Sequence, residues 1–176
     1  CATVSQPDPK DETLSVVFGY MDMTGAPSNL RWVNFQRFDL QARGDSTEGA
    51  YRMGAKDGLF LHMGIKPGAY QITRFGGVGG IPLLTQRDHE YDYGTQGRNE
   101  TAVRINRTGV YFIGSLRYVE QKTGFFEAGK FDMQVTKTPS EKEVLQRVMK
   151  IAEETEALKP YTRQLDLMRK RLAELS

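Results

Sequence analysis

Few side chains in this 176-residue chain are of the types that most readily form a nucleophile–base pair: one cysteine, at position 1, and two histidines, His62 and His89. No serine stands in a recognisable nucleophile motif, and His62 lies inside residues 59–63, an apolar stretch typical of a strand. A hydrolytic triad requires a nucleophile, a base and a group that orients the base. The sequence does not supply such a set. It predicts a protein that is not an enzyme and a His62 that is a hydrogen-bonded strand residue.

Residues 88–92, Asp-His-Glu-Tyr-Asp, carry side chains of the type that binds metals. In a strand, Asp88, Glu90 and Asp92 would share one face while His89 pointed to the other, so the ligands would diverge. The sequence therefore predicts no metal site and no cofactor, and it favours a solvated loop at this point.

A glycine-rich run, residues 76–80, has the composition of a phosphate-binding loop. It lacks a following Gly-Lys-Ser/Thr, and Pro82 comes almost at once. We expect residues 76–97 to be a loop insertion with one short strand.

Trp32 is the single tryptophan, and Phe35 and Phe38 stand close to it in sequence. Exposed aromatic faces stack on sugars, so Trp32 and the loop 76–97 form a candidate site for a glycan or another small ligand. Aromatic residues at this spacing more commonly fill a core. The sequence favours the core position and leaves the ligand site as the alternative.

Cys1 precedes a polar segment, residues 2–13, that contains two prolines. An N-terminal thiol can act as a nucleophile whose own α-amine is the base, but such a residue must start in a buried strand. An engineered terminus and a free surface thiol are further alternatives.

A chain that opens on cysteine before a polar tether resembles a mature bacterial lipoprotein. In that family the thiol carries a diacylglyceryl group and the amine usually carries a third acyl chain, which together anchor a protein stably. The resemblance implies lipid attachment at Cys1, a tether over residues 1–13 and a location in the cell envelope. Ala2 is not the aspartate that often signals inner-membrane retention, so the resemblance implies the outer membrane of a Gram-negative cell.

The charges are balanced, with 24 Lys plus Arg against 22 Asp plus Glu and a formal net charge of +2. A nucleic-acid-binding protein would show a basic footprint, so no nucleic-acid partner is expected. No apolar run approaches the roughly 20 residues that a membrane-spanning helix needs. We expect contact with a membrane only through lipid on Cys1.

Residues 14–137 alternate apolar and polar positions between turn residues, which predicts an antiparallel β-sandwich of about seven strands. Residues 57–72 also resemble the strand, P-G-x-Y, strand hairpin of prealbumin-like and carboxypeptidase-regulatory-like domains, which implies the same fold. The strand-like segments are residues 14–23, 30–40, 59–63, 69–75, 101–105, 110–121 and 125–135.

Residues 138–176 change to a helical pattern, with Ser140 and Glu143 as a capping box. The spacing predicts a long C-terminal α-helix that is kinked at Pro160. Its narrow apolar seam is typical of pairing with another helix, and packing on the chain's own domain is an equal alternative. The seam, our candidate partner-binding site, consists of Leu158, Tyr161, Leu165, Met168, Leu172 and Leu175.

These features favour a non-catalytic, lipid-anchored scaffold or accessory subunit of an envelope assembly. It would bind protein partners through the C-terminal helix and the sandwich surface. The first alternative is a binding module for a glycan or small ligand at Trp32 and the loop. The second is an N-terminal-nucleophile hydrolase that uses Cys1.

Overall fold

The computed structural model describes residues 7–39, 49–80, 83–93, 99–120 and 131–176, which contain nine strands and two α-helices. The strands are β1 Ser15–Asp22, β2 Trp32–Arg37, β3 Ala50–Lys56, β4 Leu59–Ile65, β5 Gly68–Gly79, β6 Arg87–Asp92, β7 Val103–Ile105, β8 Val110–Glu120 and β9 Phe131–Thr136. The helices are α1 Glu141–Glu154 and α2 Thr162–Glu174, with a 3-10 turn, Glu156–Leu158, between them.

The strands form one mixed sheet in the order β6-β5-β2-β3-β4-β1-β8-β9, and β7 pairs with β5. The mainly β prediction is confirmed, but the antiparallel sandwich of about seven strands is wrong. Among the described residues there are nine strands, and β1 pairs with β8 in parallel. Alternation identifies a strand and its two faces, yet it carries no information about the neighbour or its direction.

The sheet curls on itself, because strands from its two ends meet through aromatic side chains. Tyr91 of β6 lies 5.5 Å from Phe131 of β9 between ring centroids, and 5.7 Å from Tyr118 of β8. Phe75 of β5 stacks on Tyr91 at 4.9 Å. The curl encloses the main core, whose largest fully buried side chains include Phe35.

A second apolar cluster lies between the outer side of the sheet and the two helices. Both helices contact β1 and β8, and α1 also contacts β4. The other half of the sheet consists of β2, β3, β5 and β6. We name the outer side of these four strands the open face. The second cluster is formed by Val16, Phe18, Leu59, Met63, Val144, Leu145, Val148, Met149, Ala152, Tyr161, Leu165 and Met168.

The C-terminal extension is helical, as the sequence predicts, but it is two helices rather than one long kinked helix. The Ser140 side chain accepts a hydrogen bond from the Glu143 N–H at 3.3 Å, which is the predicted N-cap. Pro160 lies between the 3-10 turn and α2, where its ring would clash inside a continuous helix.

Residues 7–13 of the predicted tether lie against the folded domain. Tyr161 donates its hydroxyl hydrogen to the Pro7 carbonyl oxygen at 2.6 Å, and Thr108 donates to the Glu12 carbonyl oxygen at 2.8 Å. Arg163 of α2 donates to the Asp11 carbonyl oxygen at 3.4 Å. Cys1, the predicted lipid attachment site, lies outside the described residues.

Packing of α2 on the sheet makes a testable contribution to stability. Leu165 is 6% exposed in the second cluster, whereas Leu84 is 78% exposed. We expect Leu165→Ala to lower the free energy of unfolding by about 2–5 kcal/mol, because it leaves a cavity in a packed core. The matched Leu84→Ala variant should change it by less than about 0.5 kcal/mol. Urea unfolding measures both, and equal values would show that α2 is not part of the folded core.

Candidate functional site

Trp32 lies on the open face, half-buried, rather than in the core that the sequence favoured. Its strand neighbours Val33 and Phe35 are 0% exposed and fill the inner side of the curled sheet. Alternation along β2 therefore directs Trp32 outward. The core prediction is right for Phe35 and wrong for Trp32, because residues three positions apart in a strand point to opposite faces.

Trp32 is flanked by glycines on both neighbouring strands. It pairs with Gly76 of β5 on one side and with Gly54 of β3 on the other. A Cβ at Gly76 would lie 2.5 Å from Trp32 Cζ2, so only glycine leaves room for the indole ring. The glycine run that the sequence assigned to a loop therefore belongs to β5, as far as Gly79. The insertion also contains strand β6, which includes residues 88–92, so the solvated loop that the sequence favoured at these residues is wrong. Residues 81–82 and 94–97 of the insertion lie outside the described residues.

Arg52 is stacked on the indole ring. Its Cζ lies 4.2 Å from the Trp32 ring centroid, and its Nε donates to Asn34 Oδ1 at 3.1 Å. Both contacts fix the plane of the guanidinium group, a geometry suited to cation–π attraction and to bidentate binding of a carboxylate. The Arg52 Nη groups have no hydrogen-bond partner among the described residues. The arrangement is an exposed, oriented cation.

Gly54 leaves an empty space beside Trp32. A Cβ built at Gly54 would meet no heavy atom within 4 Å, and the residue is exposed. Arg52 and Lys56 stand two positions to either side of it on β3, so all three lie on the open face. We name Trp32, Arg52, Gly54 and Lys56 the Gly54 recess.

The opposite edge of the open face is acidic. Register pairs Arg74 with Asp92 and Gly76 with Glu90, which places these carboxylates on the outer side of β6. Arg74 Nη1 lies 3.3 Å from Glu90 Oε1, in an exposed ion pair. His89 points to the other side of β6, as the sequence predicted. Among the described residues, no group of three or more potential ligands is placed to hold a metal ion.

The helical seam packs on the chain's own domain. Tyr161, Leu165 and Met168 are 4%, 6% and 0% exposed, respectively. Leu158, Leu172 and Leu175 are partly buried against the same cluster. These side chains therefore lie where the self-packing alternative places them, against the chain's own domain.

A polar groove of about 810 Å³ lies where β1 ends beside the β3–β4 turn. Some of its polar groups are engaged locally: the Thr24 N–H and hydroxyl donate to Asp22 Oδ1 at 2.9 and 2.6 Å. These two hydrogen bonds lower the Asp22 pKa below its usual value, and the one from the Thr24 hydroxyl has the larger effect. Asn29 Oδ1 accepts from the Val78 N–H at 3.0 Å. Lys56 lines both this groove and the Gly54 recess.

His62 of β4 is a structural residue. The Gly64 N–H donates to His62 Nδ1 at 3.0 Å, and the Tyr51 ring packs edge-on at 5.1 Å. Burial lowers the His62 pKa to about 4, so the ring is neutral at pH 7. This geometry agrees with the sequence prediction that His62 is a hydrogen-bonded strand residue.

No protein-family model, curated protein or solved structure matches this chain. Within the described residues, neither helix combines the length and apolar character needed to cross a bilayer.

The two glycines beside Trp32 should respond differently to the same substitution. We expect Gly76→Ala to destabilise the fold by about 1–3 kcal/mol, because the added methyl group collides with the indole ring and with the His89 carbonyl oxygen. Gly54→Ala should change stability by less than about 0.5 kcal/mol. Denaturant unfolding of both variants measures this, and a Gly76→Ala protein as stable as Gly54→Ala would contradict the packing.

Acid should destabilise the fold through His62. Its folded pKa of about 4 lies below the ordinary 6.5, so the unfolded chain takes up the proton first. The contribution of neutral His62 to the free energy of unfolding is fully present above about pH 6.5. It decreases by up to about 3 kcal/mol as the pH falls toward 4. We expect His62→Gln to flatten the decline measured by urea unfolding between these pH values. His89→Gln is the control, and equal slopes in both variants would exclude His62 as the cause.

Proposed function

We propose that this protein is a non-catalytic, lipid-anchored accessory or scaffold subunit of a cell-envelope assembly, and that it docks through its open face. The observation that carries the docking surface is the stack of Arg52 on Trp32, on the half of the sheet away from the helices. Tryptophan and arginine are the residues most enriched at the energetic centres of protein interfaces. A stacked, oriented pair also loses little side-chain entropy on binding.

The helical seam is a secondary part of this proposal. Tyr161, Leu165 and Met168 would have to leave their own core to bind a partner, which makes them costly contacts. Leu158, Leu172 and Leu175 lie at the rim of that core and are accessible without unfolding. These rim residues are a second place where a protein partner can bind, and no nucleic-acid partner is proposed.

The anchor places the docking surface close to a membrane. Because Pro7 is held by Tyr161, only residues 1–6 are left to link Cys1 to the folded body. Six residues span at most about 20 Å when fully extended. Lipid on Cys1 would thus keep the domain within about one domain radius of the bilayer, which we propose to be the outer membrane.

A binding module for a glycan or small ligand is the second candidate. The observation that favours it is the empty space at Gly54 beside the indole ring. Arg52 covers one face of the ring, so a sugar would have to displace the guanidinium group or bind at the ring edge.

Mass spectrometry of the N-terminal peptide from native membranes tests the anchor. We expect diacylglyceryl and acyl mass on Cys1, and loss of the protein from the membrane fraction in Cys1→Ser. An unmodified Cys1 on soluble protein would refute the anchor. Amidase activity abolished by Cys1→Ser would instead support the hydrolase alternative.

Substitution of Trp32 tests the docking surface. We expect Trp32→Ala to reduce by about tenfold or more the recovery of the assembly that co-purifies with the wild-type protein in mild detergent, as for an interface hot spot. Val135→Ala is the control, because Val135 is an apolar side chain at 58% exposure on β9, outside the open face. Equal recovery in both variants, with unchanged thermal unfolding, would refute docking at Trp32. Loss of binding to immobilised oligosaccharides in Trp32→Ala alone would favour the glycan candidate.

A further inference from the structure

We propose that the hairpin between β5 and β6 inserts two exposed leucines into an apolar pocket of a second copy of this chain. Leu83 is 100% exposed and Leu84 is 78% exposed, and both lie where this hairpin turns. We name these two residues the apolar tip. The inference goes beyond the proposed function, because it requires neither lipid on Cys1 nor docking at Trp32.

The apolar tip is carried by a paired hairpin with a tight turn. Gly79 pairs with Arg87 at the end of the β5–β6 ladder. A Cβ at Gly80 would collide with the Thr85 carbonyl oxygen, so the two sides of the turn approach each other closely. Leu83 has a φ of 70°, in the left-handed region that residues other than glycine seldom adopt. The tip therefore protrudes beyond the ladder, and Leu83 buries no surface against the described residues.

An apolar pocket of about 190 Å³ lies between β4 and the turn that joins the two helices, and we name it the helix-turn pocket. A cavity of about 150 Å³ that is lined by apolar side chains accommodates benzene. The helix-turn pocket therefore has room for the smaller side chain of one leucine, and the second leucine of the tip can cover its rim. The residues that shape it include Leu61, Met63, Ala157, Leu158 and Tyr161.

The helix-turn pocket is accessible from solvent. Ala157 is exposed, and Leu61 pairs with Gly54 of β3. A Cβ at Gly54 would meet no heavy atom within 4 Å, so the sheet surface beside Leu61 is open at this position. A hairpin tip enters a concave pocket end-on. The convex outer side of the sheet therefore does not oppose the contact.

The apolar tip lies far from the helix-turn pocket of its own chain. In the sheet, β6 is separated from β4 by β5, β2 and β3, which is about 19 Å along the sheet at the usual strand spacing. A second copy supplies both halves of the contact, an apolar tip and a pocket of matching size. Because the two halves are different surfaces, the contact is heterologous, and one copy can offer its tip to one neighbour and its pocket to another.

The small area of this contact makes it weak and reversible. Stable interfaces bury at least about 1,200 Å², and two leucines at one pocket bury much less. Screening by salt acts on charges and leaves the burial of apolar surface intact. Attachment of many copies to one membrane would raise their local concentration and favour the contact.

Sedimentation equilibrium of the full chain carrying Cys1→Ser, which removes thiol cross-links, tests the contact. We expect the average mass to rise with protein concentration, and to do so equally at about 50 mM and about 500 mM salt. Leu83→Ser with Leu84→Ser removes the tip, and Ala157→Trp fills the pocket. Each of these variants should raise the dissociation constant about tenfold or more. An equimolar mixture of the two should associate again, because one supplies the pocket and the other supplies the tip.

Val135→Ser and Ala173→Trp are the matched controls. Val135 is 58% exposed on β9, and Ala173 is exposed on α2 outside the pocket lining. Both variants should associate as the parent does. Circular dichroism melting curves establish that every variant is folded.

Three results would each overturn the inference: a parent that stays monomeric, a tip or pocket variant that associates like the parent, or a mixture that does not associate. Sedimentation with phosphatidylcholine vesicles identifies a membrane contact instead. Vesicle binding by a monomeric parent that is lost in the tip variant would also overturn the inference. The proposed function fails separately, through an unmodified Cys1 or an assembly that survives Trp32→Ala.

Discussion

Strand β1 is the element on which the rest of the structure depends, because both of its faces are buried. Val16, Val17 and Phe18 are all 0% exposed. Val17 contributes to the core inside the curled sheet, and Val16 and Phe18 contribute to the cluster under the helices. On its edges β1 pairs with β4 and β8. One short segment thus joins the two apolar clusters, and α1 and α2 cover the part of the sheet where its outward apolar side chains lie.

The position of the helices determines where the protein can interact. Helices that pack over β1 and β8 leave the outer sides of β2, β3, β5 and β6 for other contacts, and there the side chains are polar or small around one tryptophan. Trp32 can lie flat against the sheet only because Gly76 lacks a side chain. Arg52 then stacks on the ring and is oriented by Asn34. The absence of a side chain at Gly76 thus leads, through Trp32, to an oriented Arg52 guanidinium group beside the open space at Gly54.

The N-terminal segment and α2 support each other. Tyr161 is buried in the second cluster and its hydroxyl group holds Pro7, while Arg163 reaches the Asp11 carbonyl oxygen. The apolar seam, for which the sequence left a partner helix as one alternative, therefore also holds α2 and the N-terminal segment against the chain's own domain. A narrow apolar seam can pack on a sheet surface with a limited apolar area as well as on a second helix. Periodicity alone therefore does not show which of the two it contacts.

Local signals in the sequence determined most elements: the apolar run of β1, the turns that bound β4 and β5, and the N-cap at Ser140. Those signals depend on neighbours within a few residues, where steric and hydrogen-bond preferences act directly. Only the tertiary structure decided that β1 pairs in parallel with β8, that Trp32 points outward and that the glycine run extends β5. Each of these depends on contacts between segments distant in sequence, which alternation along one strand does not specify. The Gly54 recess combines residues of two strands in register, β2 and β3, so no linear motif could have revealed it.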